Sequence, residues 1–123
     1  FLSGTYSFSG YIIERKGGFF MEVKITVNKN TLIAAPAGEI DHHSAAEMRF
    51  FIDGELERST PKLLVMDFGG VDFMDSSGIG LILGRIRTIA GWNGRIMVVN
   101  AKPPVRKMIR IAGLDRLIAA RKG

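Results

Sequence analysis

Between residues 67 and 80 the sequence gathers three carboxylates (Asp67, Asp72, Asp75) and two adjacent hydroxyls (Ser76, Ser77), the hydroxyls followed closely by two glycines (Gly78, Gly80). Before them runs Lys62-Leu-Leu-Val-Met-Asp-Phe68, a short apolar stretch that reads as a buried strand closed by Gly69-Gly70. After them Ile79, Ile82/Leu83, Ile86 and Ile89/Ala90 recur with helical spacing, which predicts a helix over 77–91. Ser76 or Ser77 therefore falls where an N-cap belongs, its hydroxyl at the positive end of a helix on the rim of a sheet. A phosphate attached there would find backbone N–H groups waiting. Asp and Ser are also ordinary capping residues, so the hydroxyls alone do not argue function. The glycines add to the case. Each costs roughly 1 kcal/mol relative to Ala in a helix, so either close approach by another molecule or tight helix-on-sheet packing must want them. A second polar cluster, Asp41-His42-His43, lies upstream.

Other chemistries fit these residues less well. Gly78-Ile-Gly-Leu-Ile-Leu-Gly84 is a loosened dinucleotide fingerprint, but its strand is expected to end about ten residues earlier, and Asn100 stands where an acidic residue should close the next strand. Asp67-Phe-Gly69 copies a kinase magnesium motif without the glycine-rich loop, strand lysine or catalytic loop that give it meaning. Asp41-His42-His43 could contribute to a metal site with Asp67, Asp72 or Asp75, or could simply cap a helix. A serine hydrolase would need His42 or His43 as base, and Gly-x-Ser-x-Gly is absent.

The elements that must position these groups are set by patterning. Met21-Glu-Val-Lys-Ile-Thr-Val27 alternates with period two and Thr31-Leu-Ile-Ala-Ala-Pro-Ala37 comes after Asn28-Lys-Asn30, which predicts a hairpin. Pro36 is expected to end pairing or mark an edge. Ser44-Ala-Ala-Glu47 predicts a capping box, with Met48, Ile52 and Leu56 as the buried stripe and Phe50 or Phe51 left exposed. Gly94–Asn100 predicts a strand, Pro103–Gly113 a helix with Val105, Met108, Ile109 and Ala112 inward, and Leu117-Ile118 a last short strand. Strands alternating with helices indicate the α/β class: one mixed central sheet with helices packed against it. The 123 residues suit one domain. Residues 1–20, rich in Gly, Ser and aromatics, are expected to be a leader or extension outside the fold, with the domain proper at 21–123.

Composition is that of a globular protein, with no cysteine for disulfides or thiol chemistry. No segment approaches the roughly 20 apolar residues that span a bilayer, and the N-terminal stretch lacks the features of a signal peptide. The net charge is +5, with Lys and Arg concentrated between 102 and 122 and no aromatics interleaved. That pattern reads as a solvated helix face rather than a nucleic-acid platform.

Phe73-Met-Asp-Ser-Ser-Gly-Ile-Gly80, together with Gly38-Glu-Ile-Asp-His-His43, resembles the STAS-domain anti-sigma factor antagonists of the stage II sporulation type. The resemblance runs from about Met21 to Ile118. It implies a STAS-like fold and a cytoplasmic binding module that is not an enzyme and uses no cofactor. It further implies Ser76 as phosphoacceptor, an anti-sigma factor serine kinase as partner, and a serine phosphatase that resets the phosphorylated form. No direct nucleic-acid or membrane contact is implied. Asp41, His42, His43, Asp75, Ser77, Gly78 and Gly80 would be partner-binding residues. The alternatives are a STAS module of a general-stress pathway, or a small nucleotide- or metal-binding enzyme using the carboxylate-rich rim.

Overall fold

The computed structural model describes residues 6–14 and 20–119. They form a six-stranded sheet with three helices: β1 (Tyr6–Glu14), β2 (Phe20–Asn28), β3 (Thr31–Ile40), α1 (His42–Ser59), β4 (Leu63–Asp67), β5 (Gly70–Met74), α2 (Ser76–Ala90), β6 (Arg95–Val99) and α3 (Pro103–Ile111). The strand order is β1-β2-β3-β4-β6, with β5 also on β3. The β1/β2 and β2/β3 pairs are antiparallel; those of β3 with β4, β3 with β5, and β4 with β6 are parallel. A 3₁₀ turn at Asp115–Leu117 comes after α3, and the expected last strand is reduced to one parallel bridge between Val98 and Ile118.

One face of the sheet is covered. Leu32, Ala34, Leu64 and Met66 are fully buried while their neighbours Ile33, Leu63 and Val65 are half-buried, the period-two signature of a strand with one inward face. Met48, Ile52 and Leu56 of α1 pack into that core as the spacing required. Phe51 is half-buried and Phe50 is 74% exposed.

Three expectations are corrected. Residues 6–14 of the expected leader form β1, paired with β2 along its whole length. Residues 1–5 and 15–19 of that leader, and Arg121 and Lys122 of the basic stretch, lie outside the described residues. Pro36 neither ends β3 nor marks an edge; it is buried mid-strand opposite Val23. On its other side β4 pairs only up to Ala34 and β5 begins at Ala37, so the missing N–H falls in the gap between two partners. The third correction concerns Gly70–Met74, where the patterning predicts no strand and which forms β5.

β5 carries a bulge. Its register with β3 jumps between Gly38↔Val71 and Glu39↔Phe73, leaving Asp72 as the extra residue. Gly38 at φ 112° supplies the backbone turn that side chains resist. Strict alternation would have put Phe73 inside with Val71. The bulge instead buries Val71 and Met74 and turns Asp72 and Phe73 outward.

The buried stripe of α2 is rotated from the apolar reading. Gly78, Leu81, Ile82, Arg85 and Ile89 face inward, Leu83 is 40% exposed, and Ile79 and Ile86 pack at the margin. Arg85 can sit there because its Nε lies 2.9 Å from Asp53 Oδ1 of α1. The contact is not aligned as a hydrogen bond, and Arg85 Nε and Nη1 have no acceptor. Desolvation therefore outweighs attraction on both sides: it raises the Asp53 carboxyl and lowers the Arg85 guanidinium from their ordinary values, with the partner's charge opposing each shift. Asp53→Leu alone, which strands a buried cation, should destabilise by up to about 3 kcal/mol, the low end for a broken buried pair because Asp53 stays 30% exposed. Asp53→Leu with Arg85→Met should recover most of that loss in urea unfolding. Because Asp53 takes up a proton more readily in the folded chain, its ionisable contribution to stability is full below pH 3.8 and fades as pH rises through the folded value.

Candidate functional site

Two helix mouths open side by side at the carboxyl ends of β3 and β5. Ile40 pairs with Met74, and the Asp75 N–H donates to the Ile40 carbonyl at 3.0 Å, so the residues that start α1 and α2 are neighbours. Both N-caps are aspartates. Asp41 Oδ1 accepts from the backbone N–H of His43 (3.1 Å) and Ser44 (3.0 Å) and from the Ser44 hydroxyl (3.1 Å). Ser44 Oγ in turn accepts from the Asp41 N–H at 2.8 Å, closing a capping box. The box expected from Ser44 to Glu47 is thus formed one turn earlier, between Asp41 and Ser44, and Glu47 is exposed. Asp75 caps α2, its Oδ1 accepting from the Ser77 N–H at 2.8 Å while its carbonyl accepts from the Gly78 N–H at 2.9 Å.

Neither serine is the cap, then. Ser76 is the first helical residue and is exposed; Ser77 is half-buried. This changes the electrostatics expected at the hydroxyl. Two of the amides that would have awaited a phosphate are already taken, one by a carboxylate standing at the positive end of the dipole.

The two glycines separate by role. Gly78 is buried, and a Cβ built on it would lie 2.6 Å from Met74 Sδ. It is there so that α2 can close on β5. Gly80 is exposed and a Cβ there would meet nothing within 4 Å, so the protein's own packing does not require it. Its bare backbone faces out near Ser76 and Leu83, with Phe73 53% exposed at the end of β5. Patterning alone does not reveal that apolar element, because its outward turn depends on the bulge.

His42 and His43 open α1, both exposed, with their rings edge-on at 5.6 Å. Asp72 is bound by the Lys102 ammonium, and Asp67 Oδ1 accepts from the Gly69 N–H at 3.0 Å and the Asn100 amide at 3.2 Å. Two of the three rim carboxylates are thus engaged in holding loops. Among the described residues no three His, Asp or Glu side chains converge to hold a metal ion. The dinucleotide reading also changes ground. Since β5 ends at Met74, strand and helix do come in succession, but Gly78 and Gly80 lie within the helix and not in a turn before it.

This architecture is that of a known family. Residues 22–122 match the STAS domain family model, and the chain belongs to that family. Within it, the chain is 35% identical over 88 residues to an anti-sigma F factor antagonist of Lysinibacillus sphaericus, covering 72% of this chain and 75% of that one. It is 31% identical over 98 residues to an anti-sigma F factor antagonist of Paenibacillus polymyxa, covering 80% and 84%. Its backbone superposes on the anti-sigma factor antagonist SpoIIAA in its unphosphorylated form with a TM-score of 0.74 at 31% identity, covering 81% of this chain and 88% of that one. The phosphorylated form of the Bacillus cell fate determinant SpoIIAA gives 0.67 at 30% identity, covering 81% and 91%. Among the described residues no helix is long and apolar enough to cross a membrane.

Opposite outcomes are expected at the two glycines. Gly78→Ala, which drives a methyl into Met74, should lower the melting temperature by several degrees, about 1–3 kcal/mol of overpacking in a domain this size. Gly80→Ala should raise it, by up to about 1 kcal/mol of helix propensity.

Proposed function

We propose that this protein is an anti-sigma factor antagonist whose hold on its partner is governed by phosphorylation of Ser76. The observation that carries the reading is the placement of that hydroxyl. It is exposed at the first turn of α2, flanked by outward-facing Phe73 and bare Gly80 as docking surface, with aspartates at both adjacent helix mouths. The similarity to anti-sigma F factor antagonists supports the same reading.

In this scheme the unmodified chain binds an anti-sigma factor that is also a serine kinase, releasing the sigma factor in the cytoplasm. The kinase phosphorylates Ser76, the complex separates, and a phosphatase restores the hydroxyl. The chain itself supplies no catalysis. The working unit is residues 21–123, with β1 as an added edge strand on β2. His42 and His43 border the contact beside Asp41, Asp75 and Ser77. Gly78 contributes through the packing that sets the height of the first turn.

Charge explains the release. A phosphoryl group adds about −1.5 to −2 charges at a helix mouth whose dipole offers only about 0.3–1 kcal/mol, up to about 2 when sheltered, and which Asp75 already occupies. Enclosed in an interface, such an anion facing like charge costs several kcal/mol. At about 1.4 kcal/mol per factor of ten, that is a hundredfold or more in affinity. No rearrangement of the domain is needed.

Co-incubation with a cognate anti-sigma factor kinase and ATP, and then phosphopeptide mass spectrometry, should locate the modification at Ser76. In calorimetry Ser76→Ala should bind that kinase like the unmodified chain, and Ser76→Asp at least tenfold more weakly; a chain beginning at Met21 should give the same values. Equal binding by Ser76→Asp and the unmodified chain rules out the charge mechanism. Turnover of ATP by the isolated chain would favour an enzyme instead. Asp41 is tested by Asp41→Asn, which keeps a cap acceptor while removing the charge. Weaker docking at an unchanged melting temperature places the Asp41 carboxylate in the contact, and unaltered affinity leaves it a cap only.

A further inference from the structure

From Ser76 to Leu114 the chain carries seven Lys and Arg side chains and no Asp or Glu. The segregation is most concentrated on α3. Val105 and Ile109 of that helix are buried, and Pro104, Lys107, Arg110 and Ile111 face out along one stripe. The side chains of Lys107 and Arg110 make no ion pair or hydrogen bond among the described residues. Lys102, which precedes the helix, is by contrast neutralised by Asp72. Beside these cations, four residues after Lys107 and next to Arg110, stands Ile111, 76% exposed, more than any other large hydrophobic side chain described.

A solvated basic face accounts for Lys107 and Arg110 but not for a β-branched side chain left out at the last turn of the helix. Among the described residues the core does not take in Ile111: the chain turns after it through Gly113 at φ 77° and buries Leu114 instead. An apolar anchor flanked by two unpaired cations is the arrangement of an interface centre with a charged rim. It is poorly suited to a nucleic acid, whose phosphates offer no apolar surface and whose bases are met by stacking side chains that this helix lacks. We infer that the outward face of α3 is a second docking surface, which takes an acidic amphipathic segment of a partner protein. Ile111 enters the apolar stripe of that segment, and Lys107 and Arg110 pair with its flanking carboxylates. Rim pairs of this kind act mainly on orientation and association rate, so Ile111 must supply the anchorage. The surface does not include Ser76, and the two readings stand or fall separately.

The test is an amide-shift titration of the isotopically labelled chain with four probes: a helical peptide patterned with Glu and Leu, polyglutamate of equal charge, a short DNA duplex, and phosphatidylserine vesicles. The Glu/Leu peptide should give saturable shifts confined to residues 104–111 and their neighbours, identical in Ser76→Asp, with polyglutamate at least about fivefold weaker. Ile111→Ser should weaken the peptide at least about fivefold. Lys107→Glu with Arg110→Glu should weaken it at least about tenfold. Both variants alter only exposed positions, and an unchanged melting temperature verifies the fold. The inference is overturned if the peptide gives no saturable shift at α3, if polyglutamate binds equally well, if Ile111→Ser has no effect, or if DNA or vesicles bind this face more tightly.

Discussion

The site depends on a short parallel pairing, β5 against the last residues of β3. It ends with the Asp75 N–H bonded to the Ile40 carbonyl. Each strand leads directly into a helix, so the pairing brings the mouths of α1 and α2 together as a consequence of register and not of loop length. The bulge at Asp72, made possible by Gly38, sets the phase of the next three residues. With it, Met74 points into the core beneath Gly78, Phe73 points out beside Ser76, and Asp75 arrives where it can cap. Without it, every side chain of the β5 segment beyond the bulge would change face.

Rigid support for that edge comes from elements with no part in the proposed contact. Met74 fills the space against Gly78, and the two helices are tied further along by Arg85 and Asp53. The tie is costly in isolation, since desolvation dominates both groups. What it adds is a tie between α1 and α2 at one point, the buried Arg85 guanidinium against the Asp53 carboxylate. The polar tie at the helix–helix contact and close packing at the helix–sheet contact together hold the helix mouths from which the exposed Ser76 turn projects.

How much of this is legible in the sequence differs by element. α1, α2, α3, β2, β3, β4 and β6 can be read to within about three residues of their ends because their apolar periodicity is strong. Ser76 falls at a helix mouth for the same reason. The caps are harder to assign because Asp41 and Asp75 each precede another good acceptor, and nothing local decides which of the two leads the helix. β5 escapes notice because its bulge erases the alternation by which a strand is recognised: only Val71 and Met74 of its five residues face inward. β1 is hidden because serine and glycine dilute its pattern, and its pairing answers to β2. Arg85 in the core is not legible at all. Apolar periodicity takes no account of a cation whose partner lies 32 residues away on another helix.

The arrangement of the caps bears on how a phosphorylation switch can work here. If the first turn of α2 had free amides and no carboxylate, a phosphoryl group on Ser76 could fold back onto them, recovering part of its solvation from the helix and presenting a muted charge to a partner. Asp75 prevents that by holding the Ser77 amide with its side chain and the Gly78 amide with its carbonyl. A second aspartate caps the neighbouring mouth and is likewise engaged with its own amides. A dianion at this position is thus left to water, which an interface excludes. In the proposed switch, the helix start that makes Ser76 accessible also denies a phosphate there an internal refuge. The cost of enclosing that charge then falls on the complex and not on the fold.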